Sequence, residues 1–247
     1  MMNVPSTPCM RITKRFSRAK KREYVVVSVG GSLIVPNGID SPFLQDFRAR
    51  ILDHISRGIS FYIVTGGGMT ARNYQKAAEE VRGDLHPEDV DWLGIHATRL
   101  NAHLLRALFK DEAQATIVKN PTRGVRGNDP IIIGAGWRPG WSTDYCAVMA
   151  AKELGATRLV NLSNIDYVYT ADPRKDPSAE KIEKIGWDDF RALIPEHWDP
   201  GLSSPFDPVA AKLAQAQHME VAIMNGKNLD ELDNYLEGKA FKGTVIS

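Results

Sequence analysis

Three glycine clusters carry the first chemical signal in this chain: GGS at 30–32, GGGMTAR at 66–72 and GAGWRPGWSTD at 134–144. Glycine removes side chains from a loop and lets a ligand reach the backbone. Where such a loop leads into a helix, the unpaired N–H groups and the positive helix end suit a phosphate. Arg72 follows the second cluster, at the expected start of a helix, where a cation is mildly unfavourable unless an anion sits nearby. A phosphate accepting from the N–H groups and the guanidinium fork removes that oddity. Ser142, Thr143 and Asp144 follow the third cluster at another helix start. Ordinary capping accounts for one hydroxyl, and the acid, expected to stay ionised at the positive helix end, suits orientation of polar groups. Lys212 lies five residues after a predicted N-cap, Asp207. It is either a solvated helix lysine or a cation held near an anion.

Neither common nucleotide signature is present. There is no G-x-x-x-x-G-K-[ST], and GAGWRPG is one residue too long for the dinucleotide fingerprint. Each cluster alone reads as a turn. Three of them at three strand ends point to phosphate binding.

The elements that must position these residues alternate strand and helix. Strands are expected at 23–29, 59–65, 115–119, 130–135, 158–163, 221–225 and 242–246, and helices over 41–57, 71–82 (capped by Thr70), 91–109, from Thr143, over 207–219 and 228–237. Asp207 followed by Pro208 is a helix-start pair. Short apolar strands between helices predict an α/β fold, with a mainly parallel sheet covered on both faces. In such sheets ligands gather beyond the carboxyl ends of the strands, where the glycine clusters lie. SNIDYVYTADPRKDP (163–177) reads either as a surface hairpin or as part of a site. One domain spans 23–247, in two lobes (23–157 and 158–247).

Composition excludes little but usefully. The 247 residues are 43% hydrophobic with formal net charge +1, so no global field argues for nucleic acid or membrane. RITKRFSRAKKR (11–22) contains no acid; lacking aromatic interleaving, it reads as a disordered solvated tail (1–22) rather than a nucleic-acid arm. No apolar stretch approaches a membrane span, and the N-terminus lacks a signal-type apolar region. The two cysteines, Cys9 and Cys146, are too few for a disulfide framework or a zinc site. A cytoplasmic chain is expected, with no dedicated metal-ligand set.

The ordered set GGS…GGGMTAR…DWLGIHATRLNAHLL…PGWSTD…SNIDYVYTADP…FDPVAAK resembles the amino acid kinase superfamily, and within it the uridylate (UMP) kinases of archaeal-like type. The resemblance covers roughly 24–246. It implies a three-layer αβα sandwich, usually hexameric. It also implies that Gly30 and Gly31 cradle the transferred phosphate, that Gly67, Gly68 and Arg72 bind phosphate groups, and that Asp91 holds the acceptor nucleoside. By the same resemblance the loop from Gly136 and Trp137 to Ser142 and Thr143 encloses UMP, and Ser163, Asn164, Tyr169 and Asp172 bind ATP. Similarity of the Lys212 helix to D-P-x-A-x-K relatives implies a catalytic cation there, beside Asp144 and Gly31. One departure stands out. The family often carries a lysine two residues before the glycine pair, and this chain has Ser28.

The resulting expectation is phosphoryl transfer from ATP to UMP, with Mg²⁺ carried mainly by nucleotide phosphates and a homo-oligomer as the assembly. The alternatives are another small-molecule kinase of this fold, acting on isopentenyl phosphate or a carboxylate, and a non-catalytic nucleotide-binding or storage protein. Arg72 with Asp91 favours a phosphorylated, hydroxyl-bearing acceptor over a carboxylate.

Overall fold

Valine- and isoleucine-rich runs form the middle layer. The computed structural model describes residues 22–124, 128–196 and 204–247. The tail expected over 1–22 lies outside these residues except for Arg22, whose guanidinium donates to the Asn128 carbonyl (2.8 Å) and Ser60 Oγ (3.2 Å). The strands, in chain order, are β1 (Tyr24–Val29), β2 (Ser60–Thr65), β3 (Ile131–Gly134), β4 (Arg158–Ser163), β5 (Val168–Tyr169), β6 (Lys181–Ile182), β7 (Lys184–Ile185), β8 (Glu220–Asn225) and β9 (Thr244–Ile246). Seven of them make one sheet in the order β3-β2-β1-β4-β8-β9-β7, parallel except where β8 meets β9; β5 and β6 pair separately as an antiparallel hairpin.

Alternate side chains of each strand enter two cores. Val25, Val27, Val29, Phe61, Ile63, Val160 and Leu162 face one side, packing with Phe47 and Ile51 of helix α2 (Ser41–Ser56) and Leu105 of α4 (Pro87–Leu108). Val26, Tyr62, Val64, Leu159, Val221 and Ile223 face the other, under α5 (Thr143–Leu154), α6 (Trp187–Leu193) and α7 (Pro208–Ala216). Each fully buried aliphatic side chain contributes about 1.5–3 kcal/mol of burial energy, so neither helical layer can leave. The expected αβα sandwich is therefore observed, completed by α1 (Gly31–Ile34), α3 (Gly68–Val81) and α8 (Asp230–Leu236).

Strand order turns about β1 and β4. From β1 the chain builds outward through β2 to β3, then returns to β4 on the opposite side of β1. The two neighbours thus send their connections away from each other, which opens a crevice beyond their carboxyl ends.

Several expectations are corrected. Residues 115–119 form no strand: the chain meets β3 only at single bridges, Ala113 with Ile131 and Val118 with Gly134. It takes more residues between the bridges than β3 does, so the excess loops outward and interrupts the ladder. Helix α3 starts at Gly68 with Gly67 as N-cap, so Thr70 is inside it and Arg72 lies one turn in. The start is set by backbone packing, with Met69 N–H donating to the Val35 carbonyl (2.9 Å). Helix α7 has the expected Asp207 cap, whose Oδ1 accepts from Val209 N (2.6 Å) and Ala210 N (2.8 Å), but ends before 219 because His218 turns to φ 51°. The short α1, α6 and β7 were not foreseen.

Candidate active site

The first two glycine clusters touch each other across the crevice. A Cβ on Gly31 would lie 2.0 Å from Gly68 N and 2.7 Å from the carbonyl carbons of Gly66 and Gly67. Gly68 has φ +63°, a left-handed conformation, and its own Cβ would meet the Gly31 carbonyl oxygen at 2.2 Å. These glycines are first of all a backbone-to-backbone joint, which explains their identity without a ligand. The joint also brings the amino ends of α1 and α3, with their N–H groups lacking intrahelical partners, to one point. Gly30 N–H donates to the Leu162 carbonyl (2.8 Å), tying the β1 loop to the end of β4.

Helix α4 holds the loops in place. Asn101, buried, donates through Nδ2 to the carbonyls of Gly66 (2.8 Å) and Gly67 (3.2 Å). Thr98, also buried, accepts from Gly136 N–H at Oγ1 (2.8 Å) and donates to the Ile95 carbonyl (2.7 Å). Asp91 accepts from Gly140 N–H (2.7 Å) at the rim of a groove of about 800 Å³ lined also by Trp92, Arg138 and Trp141. The segment DWLGIHATRLNA thus clamps both the second and the third glycine clusters. Asn101 and Thr98 carry no charge and stand in no known spacing, so the sequence alone did not single them out. Their signal was polarity at positions 98 and 101, one turn apart on the apolar helix face.

The third cluster is an aromatic loop. Arg99 donates through Nη2 to the Trp137 carbonyl (2.8 Å), and its guanidinium lies 5.5 Å from the Trp92 ring centroid. The Arg138 guanidinium lies 4.4 Å over Trp137 and 5.6 Å over Trp141, and Trp141 stacks on Tyr145 at 4.0 Å. Cation–π contacts of this kind add to the Asp91–Gly140 bond in holding the loop. Ser142 is the N-cap of α5, its Oγ accepting from Tyr145 N–H (3.0 Å), and Thr143 is the first helical residue.

Asp144 sits in the first turn of α5 with its carboxyl turned into the protein. Oδ1 accepts from Ser28 Oγ and from Asn161 Nδ2, both at 3.0 Å. Burial pushes its pKa up to about 6, the nearby Asp207 carboxylate adds to the rise, and the Ser28, Asn161 and Asp207 N–H donors only partly offset it. Desolvation thus makes this helix-start acid easier to protonate than an ordinary carboxylate, while it still stays mostly ionised near neutral pH. Cys146, two residues on, is a buried thiol pushed up to about 12 by desolvation, hence neutral and inert.

Arg72 is exposed and belongs to no ion pair among the described residues. On the other side of the crevice, Ser163 ends β4 and its carbonyl accepts from Gly226 N–H (2.8 Å). Asn164 is exposed, and Tyr169 stands in the β5–β6 hairpin. Asp172 accepts from the Arg174 side chain at Nε and Nη2 and from its N–H, each at 3.0 Å, and these bonds pull its pKa down to about 2. Lys212 is the residue that the structure does not bring to the crevice. It is exposed on α7 and lines a separate groove of about 620 Å³ with Asp188, Arg191 and Glu196, and no residue of the glycine loops lines that groove.

The crevice presents helix amino ends and glycine backbone, a set suited to positioning and charge stabilisation rather than covalent chemistry. Comparison with known proteins agrees. The amino acid kinase family model matches residues 23–225. A uridylate kinase of Methanosarcina barkeri is 34% identical over 227 residues, covering 90% of this chain and 95% of that protein. One from Thermococcus kodakarensis is 34% identical over 225 residues, covering 90% and 98%. The crystal structure of uridylate kinase from Archaeoglobus fulgidus superposes with a TM-score of 0.75 at 27% identity, covering 90% of this chain and 99% of that one. The chain belongs to the amino acid kinase family.

Proposed function

We propose that this chain is an ATP-dependent UMP kinase, moving the γ-phosphoryl group of ATP onto the phosphate of UMP to give UDP and ADP for pyrimidine nucleotide synthesis. The observation that carries the reading is the joint of the GGS and GGG loops at the point where strand order reverses, in a chain similar over nine-tenths of its length to uridylate kinases. Two phosphate chains must meet end to end in such a reaction, and the joint offers backbone N–H groups from both sides.

In this reading the 23–157 lobe takes the acceptor and the 158–247 lobe takes ATP. Gly67, Asp91, Gly136, Trp137, Ser142 and Thr143 surround UMP. Gly30, Gly31, Gly68 and Arg72 hold the phosphates, while Ser163, Asn164, Tyr169 and Asp172 line the ATP side. The attacking phosphate oxygen is already deprotonated near neutral pH, so Asp144 orients groups and need not remove a proton. Mg²⁺ arrives on the ATP phosphates, whose hard oxygens suit it. It supplies neutralisation of the developing charge, alongside Arg72 and the loop N–H groups. Lys212 reaches that charge only by leaving its groove with Asp188 and Glu196. The protein acts in the cytoplasm as a homo-oligomer; Tyr74, Val81 and Leu100, all well exposed on α3 and α4, supply apolar surface for a second copy. No helix among the described residues is long and apolar enough to cross a membrane.

The test is ADP release with UMP, CMP, isopentenyl phosphate and a simple carboxylate as acceptors, with and without a Mg²⁺ chelator. UMP is expected to lead, and chelation to abolish the rate. Binding of UMP and ATP without turnover at saturating Mg²⁺ would make the chain a nucleotide binder instead.

A further inference from the structure

Ser28 and Asn161 are an anomaly in the centre of the sheet. They are register partners on the adjacent parallel strands β1 and β4. The pairs before and after them, Val27 with Val160 and Val29 with Leu162, are apolar and buried. Yet Ser28 and Asn161, themselves 3% and 6% exposed, place a hydroxyl and an amide side by side where a buried polar group is costly unless bonded. Both spend a donor on one atom, Asp144 Oδ1, at 3.0 Å each.

We propose that Ser28 and Asn161 are positioning residues for the reaction, a neutral two-donor clamp that holds the Asp144 carboxylate charged and fixed in orientation in place of a lysine. This rests on the reading of the chain as a phosphotransferase. The groups facing Asp144 from each neighbouring element support it. β1 presents only the Ser28 hydroxyl and β4 only the Asn161 amide. From α7 comes Asp207, whose carboxylate opposes ionisation of Asp144 while its N–H favours it. Asp207 cannot turn away, because its Oδ1 caps α7. On α5 itself the Cys146 thiol is neutral. Among the described residues, no cation is among the groups that act on Asp144. The acid is therefore balanced between burial beside Asp207 and uncharged donors, and removing one donor tips it toward the protonated form.

A hydrogen bond to a charged group is strong enough that losing one moves a carboxylate by about one to two pH units. The test is the ¹³C carboxylate titration of Asp144 in the nucleotide-free protein, its resonance identified by loss in Asp144→Asn. The rate–pH profile with UMP and ATP is measured alongside it. In Asn161→Leu and in Ser28→Ala, the Asp144 midpoint and the acid limb of the rate profile should both move up by about one unit or more. A merely structural role would lower stability and leave the midpoint in place. Midpoints within 0.3 units of wild type in both variants would overturn the proposal. Ser28→Ala deletes a single oxygen atom, so it keeps the test decisive if Asn161→Leu does not fold. If the midpoints move but no acceptor is phosphorylated, the clamp stands and the kinase reading falls.

Discussion

Replacing Gly31 with alanine separates packing from ligand binding at the centre of the site. The added methyl would lie 2.0 Å from Gly68 N and 2.7 Å from two further backbone carbons, all in loops held by Asn101 and by β-strand ends. No flexible side-chain tip is available to give way. The two loops must separate, and such overpacking costs about 1–3 kcal/mol, with this site at the upper end. For a chain of this size each kcal/mol corresponds to about 2–4 °C in Tm, so a fall of about 6–12 °C is expected. The assay is thermal unfolding of Gly31→Ala without nucleotide. Gly38→Ala is the control, since a Cβ there would meet nothing within 4 Å. A Gly31→Ala protein melting within 1 °C of wild type would refute the joint and leave a nucleotide as the sole reason for the glycine.

Three further outcomes can be checked. Asp144 has its folded-state pKa raised from 3.8 to about 6, so the native state binds the extra proton and stability falls as pH rises from about 4 to 6. Asp144→Asn should flatten that dependence in urea titrations and gain up to about 3 kcal/mol at pH 7, while turnover drops; an unchanged pH dependence of stability would mean that the carboxyl is well solvated. Arg72→Ala should lower kcat/KM by about 10–150-fold, the worth of one hydrogen bond to a charged group, with Tm unchanged; a clear loss of Tm would make Arg72 structural. Lys212→Met should turn over within threefold of wild type, and a loss of about 10²–10³, typical for a preorganised transition-state donor, would show that the lysine swings out of its groove to the phosphate.

The sheet was legible because its strands are short β-branched runs bounded by glycine or helix, and Asp207-Pro208 marked the start of α7 to the residue. The ATIVK segment misled because β-branched composition says a strand fits, not that the neighbouring register accommodates it. Site residues with charge or glycine identity could be singled out. The order of contact could not: that Gly31 faces Gly68, or that Asp91 reaches Gly140, depends on how far apart helices place segments of distant sequence. Lys212 shows the limit of an argument from helix position alone. A lysine near a helix amino end can still point along the side, and here the helix faces Asp188 and Arg191 of α6. The upward shift of the Asp144 pKa was not legible for a related reason: the helix dipole is visible in sequence, whereas desolvation and Asp207 appear only once the chain is folded.

The aromatic loop also gives the molecule an optical readout of its own. Trp92, Trp137 and Trp141 cluster beside the Asp91 groove, in contact with Arg99, Arg138 and Tyr145, whereas Trp187 is locked in the core with its Nε1–H on the Met219 carbonyl. An anion entering the groove is expected to pull Arg138 from the Trp137 and Trp141 faces, replacing a cation beside both indoles. Their emission is then expected to change in intensity and wavelength, and the change is read in a Trp198→Phe background, since that fifth tryptophan lies outside the described residues, leaving Trp187 as the constant reference. Acceptor affinity can thus be followed by intrinsic fluorescence, with no label and no turnover, and the signal from the loop should disappear in Trp141→Phe and Trp137→Phe combined.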